Sequence, residues 1–259
     1  MAGGSLIICL PIHSIMPTIT IVIPALNEEE VIARTVAAIP RELPCEVVVV
    51  DNGSTDRTAE EAMKAGARVV SQPVRGYGRA MRRGFESLSA DCEIVVQMDA
   101  DLSDDPSEIH LLLEPILERD YDLVLGSRLL GKREKDSMTP AQVVGSKIAS
   151  LMIRLIYGVR YTDMGPFRAI KRSALSSLEM SEETYGWSIE MQTRAASRGL
   201  RVTEIPVTWR NRAAGSSKVA GTLSGSVRAG VRIVWTILKV WRQERRIQSS
   251  PTGQNSERR

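Results

Sequence analysis

The sequence predicts an α/β domain built on a mostly parallel central sheet with helices on both faces. Two observations carry this. Short β-branched runs alternate with helical patterns at the spacing of βα units, and the early strands close on turns rich in Asn, Asp, Gly and Ser. The 259 residues are 43% hydrophobic and 25% charged, which supports one sizeable core rather than two independent domains. In open sheets of this kind, sites gather at the carboxyl ends of the strands.

The elements follow in order. Residues 18–24 (TITIVIP) form a β-branched run ending at a proline, and Asn27-Glu28-Glu29-Glu30 opens a helix carried by Val31, Ile32, Val36 and Ile39. A second unit follows: an apolar strand over 45–50, then the turn Asp51-Asn52-Gly53-Ser54-Thr55, whose Ser54 or Thr55 is suited to cap a helix running to about Ala65. Strands are expected at 68–71, 93–98, 123–127, 167–171 and 201–207, and helices at 77–88, 106–118, 142–157 and 188–197. The charged stretch 130–139 (LGKREKDSMT) lacks apolar periodicity and reads as a mobile loop.

After Trp209 the sheet pattern stops. From there on lie 11 of the 34 Lys/Arg but 2 of the 31 Asp/Glu, leaving 23 against 29 in the body. The tail is therefore basic and the body mildly acidic. An amphipathic helix is expected over about 226–243, with Val227, Val231, Trp235, Leu238 and Trp241 as one stripe and Arg228, Arg232, Lys239 and Arg242 beside it. Tryptophans flanked by cations suit an anionic membrane interface; packing onto the domain or a second subunit of a homo-oligomer is the competing use. No run reaches the roughly 18 apolar residues of a spanning helix.

Residues 1–16 read as an irregular leader, with Met16 as an alternative start, since a basic n-region is lacking and Pro11 and His13 interrupt the apolar run. The expected divisions are that leader, a catalytic domain over 17–218, a basic helical extension over 219–245 and a disordered tail over 246–259. Cys9, Cys45 and Cys92 are odd in number and widely spaced, which fits a reducing cytoplasmic setting better than zinc ligation or a disulfide framework.

The strongest chemical signal is Gln97-Met98-Asp99-Ala100-Asp101, two carboxylates two residues apart where an apolar strand ends. If the strand continues, both face one side and can approach one ion. All-oxygen ligands select a hard cation, Mg²⁺ or Mn²⁺, completed by substrate phosphates. The turns Pro24-Ala25-Leu26-Asn27-Glu28 and Asp51-Asn52-Gly53-Ser54 stand at the first two strand ends. An acidic group such as Asp51 there suits the N–H edge of a uracil or guanine.

With these three segments in order, the chain resembles glycosyltransferase family 2 over roughly 18–218. The resemblance implies a GT-A fold, a UDP- or GDP-sugar donor and a metal held by Asp99 and Asp101. It implies a nucleotide-sugar site of Pro24, Leu26, Glu28, Asp51, Gly76, Asp99, Ala100 and Asp101. Asn52 departs from the family's usual second Asp but keeps hydrogen-bonding capacity. Arg75-Gly76-Tyr77-Gly78 resembles the donor-side Gly-rich segment.

Asp163-Met164-Gly165-Pro166-Phe167-Arg168 resembles the Asp-x-x-Gly-Phe-Arg segment of the polyprenyl- and dolichyl-phosphate mannosyl- and glucosyltransferases, with Pro166 in place of a Gly. It implies a polyprenyl-phosphate acceptor, with Asp163 facing the reacting centre. Arg128 and Arg168 are candidates for the acceptor phosphate or leaving diphosphate. Arg212 and Lys218 belong to a segment resembling that subfamily's Arg-x-x-Gly-x-Ser-Lys. Glu190, on a helix beside Trp187, is an alternative base to Asp163.

The reaction implied is an inverting transfer of one hexose. Three alternatives stand beside it: the same chemistry on a soluble hydroxyl or glycan, a nucleotidyltransferase, and a non-catalytic sugar-nucleotide binding module. No nucleic-acid partner is expected.

Overall fold

A computed structural model describes residues 17–214 and 223–249, with side chains of the last helix described over 230–246. Seven strands form one sheet: β1 (Ile19–Ala25), β2 (Cys45–Asp51), β3 (Arg68–Ser71), β4 (Ile94–Gln97), β5 (Leu123–Ser127), β6 (Arg168–Lys171) and β7 (Val202–Pro206), in the order β3-β2-β1-β4-β6-β5-β7. All neighbours pair in parallel except β6, which runs antiparallel to both β4 and β5. Because β6 is reversed against both neighbours, β1, β2, β4, β5 and β7 all end at the same edge. The loop leading into β6 arrives there too.

The helices are α1 (Ile32–Ala37), α2 (Thr58–Lys64), α3 (Tyr77–Glu86), α4 (Ile109–Arg119), α5 (Pro140–Tyr157), α6 (Arg172–Leu178), α7 (Trp187–Ser197) and α8 (Leu223–Ser249). Strand alternation sorts them. Ile19, Ile21 and Ile23 of β1 face a core shared with α1, α2 and α4, whereas Val22 faces one shared with α3 and α5 to α8. Gly84 lets α3 lie close on the sheet: a Cβ there would stand 2.5 Å from Val22 Cγ1. Gly84→Ala is therefore expected to cost about 1–3 kcal/mol by overpacking, seen as a lower denaturant midpoint with an unchanged slope.

Several expectations change in detail. The α2 terminus is not capped by Ser54 or Thr55; Asp56 Oδ1 accepts the Thr58 N–H at 3.0 Å, while Ser54 Oγ accepts the Asn27 N–H. The 106–118 helix starts as a 3₁₀ turn, Pro106–Glu108, before α4. A capping box between Thr139 and Gln142, with Pro140 in the first turn, starts α5 earlier than the apolar pattern indicates. Helix α6 lies outside the helices expected from the pattern, because only Ala174, Leu175 and Leu178 of RSALSSL are buried.

The 130–139 loop is pinned by residues 209–211. Trp209 N–H donates to Lys132 O, Glu134 N–H to Trp209 O, and the Trp209 indole to Ser137 O. Helix α8 continues to Ser249, into the stretch expected to be a disordered tail. The leader 1–16 and Lys218 lie outside the described residues.

Candidate active site

The shared carboxyl edge of the sheet assembles the site. Just past β1, Asn27 adopts a left-handed φ of 52° and its Oδ1 accepts the Thr55 N–H at 2.8 Å. At the end of β2, Asp51 Oδ1 accepts the Ser54 N–H three residues on at 3.0 Å, closing the loop. The Glu28 amide donates to Thr58 Oγ1. These bonds knit the first two strand-end loops into one wall, which places Pro24, Leu26, Glu28 and Asp51 together.

The Asn52 side chain is a tie between loops. Its Oδ1 accepts the Gly76 N–H at 3.0 Å, joining the β2 turn to the Gly-rich segment. That segment's glycines serve packing. A Cβ on Gly76 would lie 2.5 Å from Glu183 O, and one on Gly78 would lie 2.1 Å from Glu182 O. The missing side chains thus admit the 182–183 backbone at the start of α3.

Strand β4 ends at Gln97, so Asp99 and Asp101 lie in a turn and not on a continuing strand. Leu102, at φ 60°, reverses the chain and returns the fully buried Asp104, whose Oδ2 accepts the Asp99 N–H at 2.9 Å. Asp101 Oδ1 accepts from the Ser103 amide, and Ala100 O accepts from Thr35 Oγ1 at 2.6 Å, which anchors the turn to α1. Asp99 receives the Tyr77 hydroxyl at 3.3 Å. Burial first, and then the charge of Asp101, raises the Asp99 carboxyl above the usual carboxylate range.

This donor set fits a hard divalent cation. Asp104 Oδ1 is buried with no hydrogen-bond partner beside the Asp99–Asp101 pair. No three His, Cys, Asp or Glu side chains among the described residues converge on one point. The protein thus offers the Asp99–Asp101 pair, and phosphate oxygens and water would complete the shell. Arg212 already stands at the pair: its guanidinium bridges Asp101 Oδ2 at 2.6 Å and Glu28 Oε1 at 2.5 Å.

Asp163 and Arg128 form a buried bidentate pair, with Nε to Oδ2 at 2.7 Å and Nη2 to Oδ1 at 2.8 Å. The Arg128 amide, Ser146 Oγ and the Met164 amide also donate to this carboxylate. Burial alone would raise its pKa, but the hydrogen bonds and charge of Arg128, with Ser146 and Met164, hold it below the usual range. A carboxylate so occupied is a poor proton acceptor. Its geometric role is to aim Arg128, which lies over the Trp209 ring at 4.8 Å.

Two further candidates turn inward. Arg168 is fully buried; its guanidinium donates to the carbonyls of Gly165, Pro166 and Ser188, and burial lowers its pKa to about 10. It shapes the 163–167 loop and is closed to an acceptor phosphate. Glu190 is likewise buried and accepts from Ser181, the Glu182 amide and Arg194, so its geometry does not suit a base. Trp187 packs in the core against Phe85 and donates to Gln97 Oε1.

Three neighbours of the site, Tyr77, Asp104 and Trp209, are not among the residues the sequence motifs single out. Asp104 carries a signal, as the next acid after the Asp99–Asp101 pair. Tyr77 lies inside the Gly-rich segment, but its partner Asp99 is 22 residues away, and nothing local marks Trp209, whose indole partner Ser137 is 72 residues away.

A mostly parallel sheet with one reversed strand, and a carboxylate pair at the edge where its loops converge, is the architecture of a glycosyltransferase of the GT-A fold. Comparison with known proteins agrees. The chain belongs to glycosyl transferase family 2, whose family model matches residues 20–178. It is 38% identical over 211 residues to an uncharacterized glycosyltransferase of Mycobacterium tuberculosis, covering 81% of this chain and 93% of the relative. It is 33% identical over 230 residues to a dolichyl-phosphate hexose transferase of Haloferax volcanii, covering 88% and 95%. Among solved structures, glucosyl-3-phosphoglycerate synthase of Mycobacterium tuberculosis, in complex with Mn²⁺, uridine diphosphate and glucosyl-3-phosphoglycerate, superposes with a TM-score of 0.68. That match has 28% identity over 87% of this chain and 80% of that one.

Proposed function

We propose that the protein transfers one hexose from a UDP- or GDP-sugar to a polyprenyl phosphate by an inverting displacement. The observation that carries this reading is that Asp163 and Glu190, the two candidate bases, are spent on arginines, hydroxyls and amides. A phosphate acceptor is already ionised near neutral pH and asks little of a base, whereas a hydroxyl must lose a proton during attack. The relationship to a dolichyl-phosphate hexose transferase supports the same acceptor class.

In this reading residues 17–218 form the catalytic domain, and Glu28 and Asp51 hold the nucleoside beside Pro24, Leu26 and Gly76. Asp99 and Asp101 hold Mg²⁺ or Mn²⁺, which when bound neutralises charge on the departing diphosphate. Arg128, aimed by Asp163, and Arg212, beside Asp101, supply the guanidiniums that orient phosphate oxygens. The enzyme works at the cytoplasmic face of a membrane, where a lipid acceptor is met.

A soluble acceptor is the second reading, favoured by the likeness to glucosyl-3-phosphoglycerate synthase. Purified full-length protein with Mn²⁺, a panel of UDP- and GDP-sugars, and either a short polyprenyl phosphate or 3-phosphoglycerate separates the two through nucleoside diphosphate release. Release dependent on 3-phosphoglycerate alone overturns the lipid acceptor.

Asp51→Ala is expected to weaken binding of the free nucleotide by about 1–3 kcal/mol, the range for losing a buried hydrogen bond. Calorimetry measures it. Equal affinity in both proteins would leave Asp51 only its turn bond to Ser54.

A further inference from the structure

Helix α5 carries an apolar stripe on the side turned away from the core. Val144, Ile148, Leu151 and Leu155 recur at spacings of 4, 3 and 4, and are 53%, 43%, 54% and 76% exposed. The opposite side of the same helix is buried through Gly145, Ser146, Ala149 and Ile153. A helix apolar on both faces has a second apolar surface to cover.

Helix α8 repeats the pattern beside it. Ile237 and Val240 are buried inward, while Val231 and Trp235, one turn apart, are 64% and 47% exposed. The two helices meet where a Cβ on Gly145 would stand 3.0 Å from Ile233 Cδ1, so their outward stripes belong to neighbouring helices on one side of the sheet.

Charge indicates what covers them. Helix α5 contains no Asp or Glu, and its Lys147 and Arg154 are both exposed. The one acid of α8, Glu244, is buried against Arg194 and Arg198, while Arg242 and Arg245 are exposed. Arg232, which also pairs with Glu182, and Lys239 flank the Trp235 ring at 4.8 and 5.1 Å. An exposed apolar stripe bordered by cations, with an interfacial tryptophan and no exposed acid on either helix, matches an anionic bilayer surface in both chemistry and sign.

We propose that α5 and α8 together form a membrane-docking face, with Leu151, Leu155, Val231 and Trp235 entering the headgroup boundary and the basic residues meeting anionic lipid. This deepens the lipid-acceptor reading by giving the enzyme the surface on which such an acceptor is presented. Docking is nevertheless a property of the two helices and does not depend on which acceptor reacts.

The test is flotation of full-length protein with phosphatidylglycerol-containing and purely phosphatidylcholine vesicles at low and high salt, alongside light scattering of the protein alone. The wild type is expected to float with anionic vesicles and to be released by salt. Leu151→Glu/Leu155→Glu, which places acids on α5 and leaves α8 intact, is expected to lower partitioning by roughly tenfold or more. Its circular dichroism and nucleotide binding should be unchanged, because both positions face outward. Equal flotation of the two proteins overturns the role of α5, and no flotation of wild type at low salt overturns the docking face. A wild-type dimer dissociated by the same substitutions reassigns the surface to a second copy of the chain. Turnover of a short, water-soluble polyprenyl phosphate reads the acceptor chemistry separately.

Discussion

Asp99→Ala and Asp101→Ala are each expected to reduce turnover by about 100-fold or more, since a bound cation supplies several kcal/mol of charge stabilisation to a departing diphosphate. The fold should survive. Asp99 is only half-buried, and Asp104, which closes the turn onto the Asp99 amide, is left in place. Mn²⁺ binding followed by calorimetry should fall in parallel with activity. Undiminished turnover in excess chelator, or full activity of the double variant, would remove the metal from the mechanism. Asp101→Ala has an added consequence, because Arg212 then keeps Glu28 but loses its second carboxylate.

The second large effect is on stability and activity together. Asp163→Asn leaves Arg128 buried without its counter-charge, a loss of about 3–5 kcal/mol for breaking a buried pair from one side. It also frees the guanidinium that Asp163 aims. Chemical denaturation measures the first consequence and donor turnover the second. Adding Arg128→Gln should recover part of the stability, since no unpaired charge then remains, but none of the activity. If the double variant is as active as wild type, Arg128 has no part in the reaction.

The same pair predicts a pH dependence. The folded state holds the Asp163 carboxyl below its unfolded value, so its contribution is fully present above the ordinary carboxylate range. It is lost as pH falls through the depressed folded value. The acid limb of wild-type stability should therefore flatten in Asp163→Asn.

What the sequence alone determined is local or periodic. Strand runs such as 45–50 and 123–127 read correctly because strands covered by helices on both faces are short, apolar and bounded by turn residues. The Asp99–Asp101 pair and the loops at Asn27 and Asp51 were legible because each motif lies within a few residues at a strand end. Tertiary structure decided everything that depends on which strand lies beside which. The reversal of β6 brings Asp163 to the carboxyl edge, where Arg128 from the end of β5 takes it as an ion-pair partner and removes it from service as a base. Burial decided Arg168 and Glu190 in the same way, for a charged side chain gives no local sign of whether it faces water or three carbonyls. Arg212 reaches Glu28 across 184 positions of sequence, a separation that no local pattern spans and only the convergence of loops at one edge of the sheet makes short.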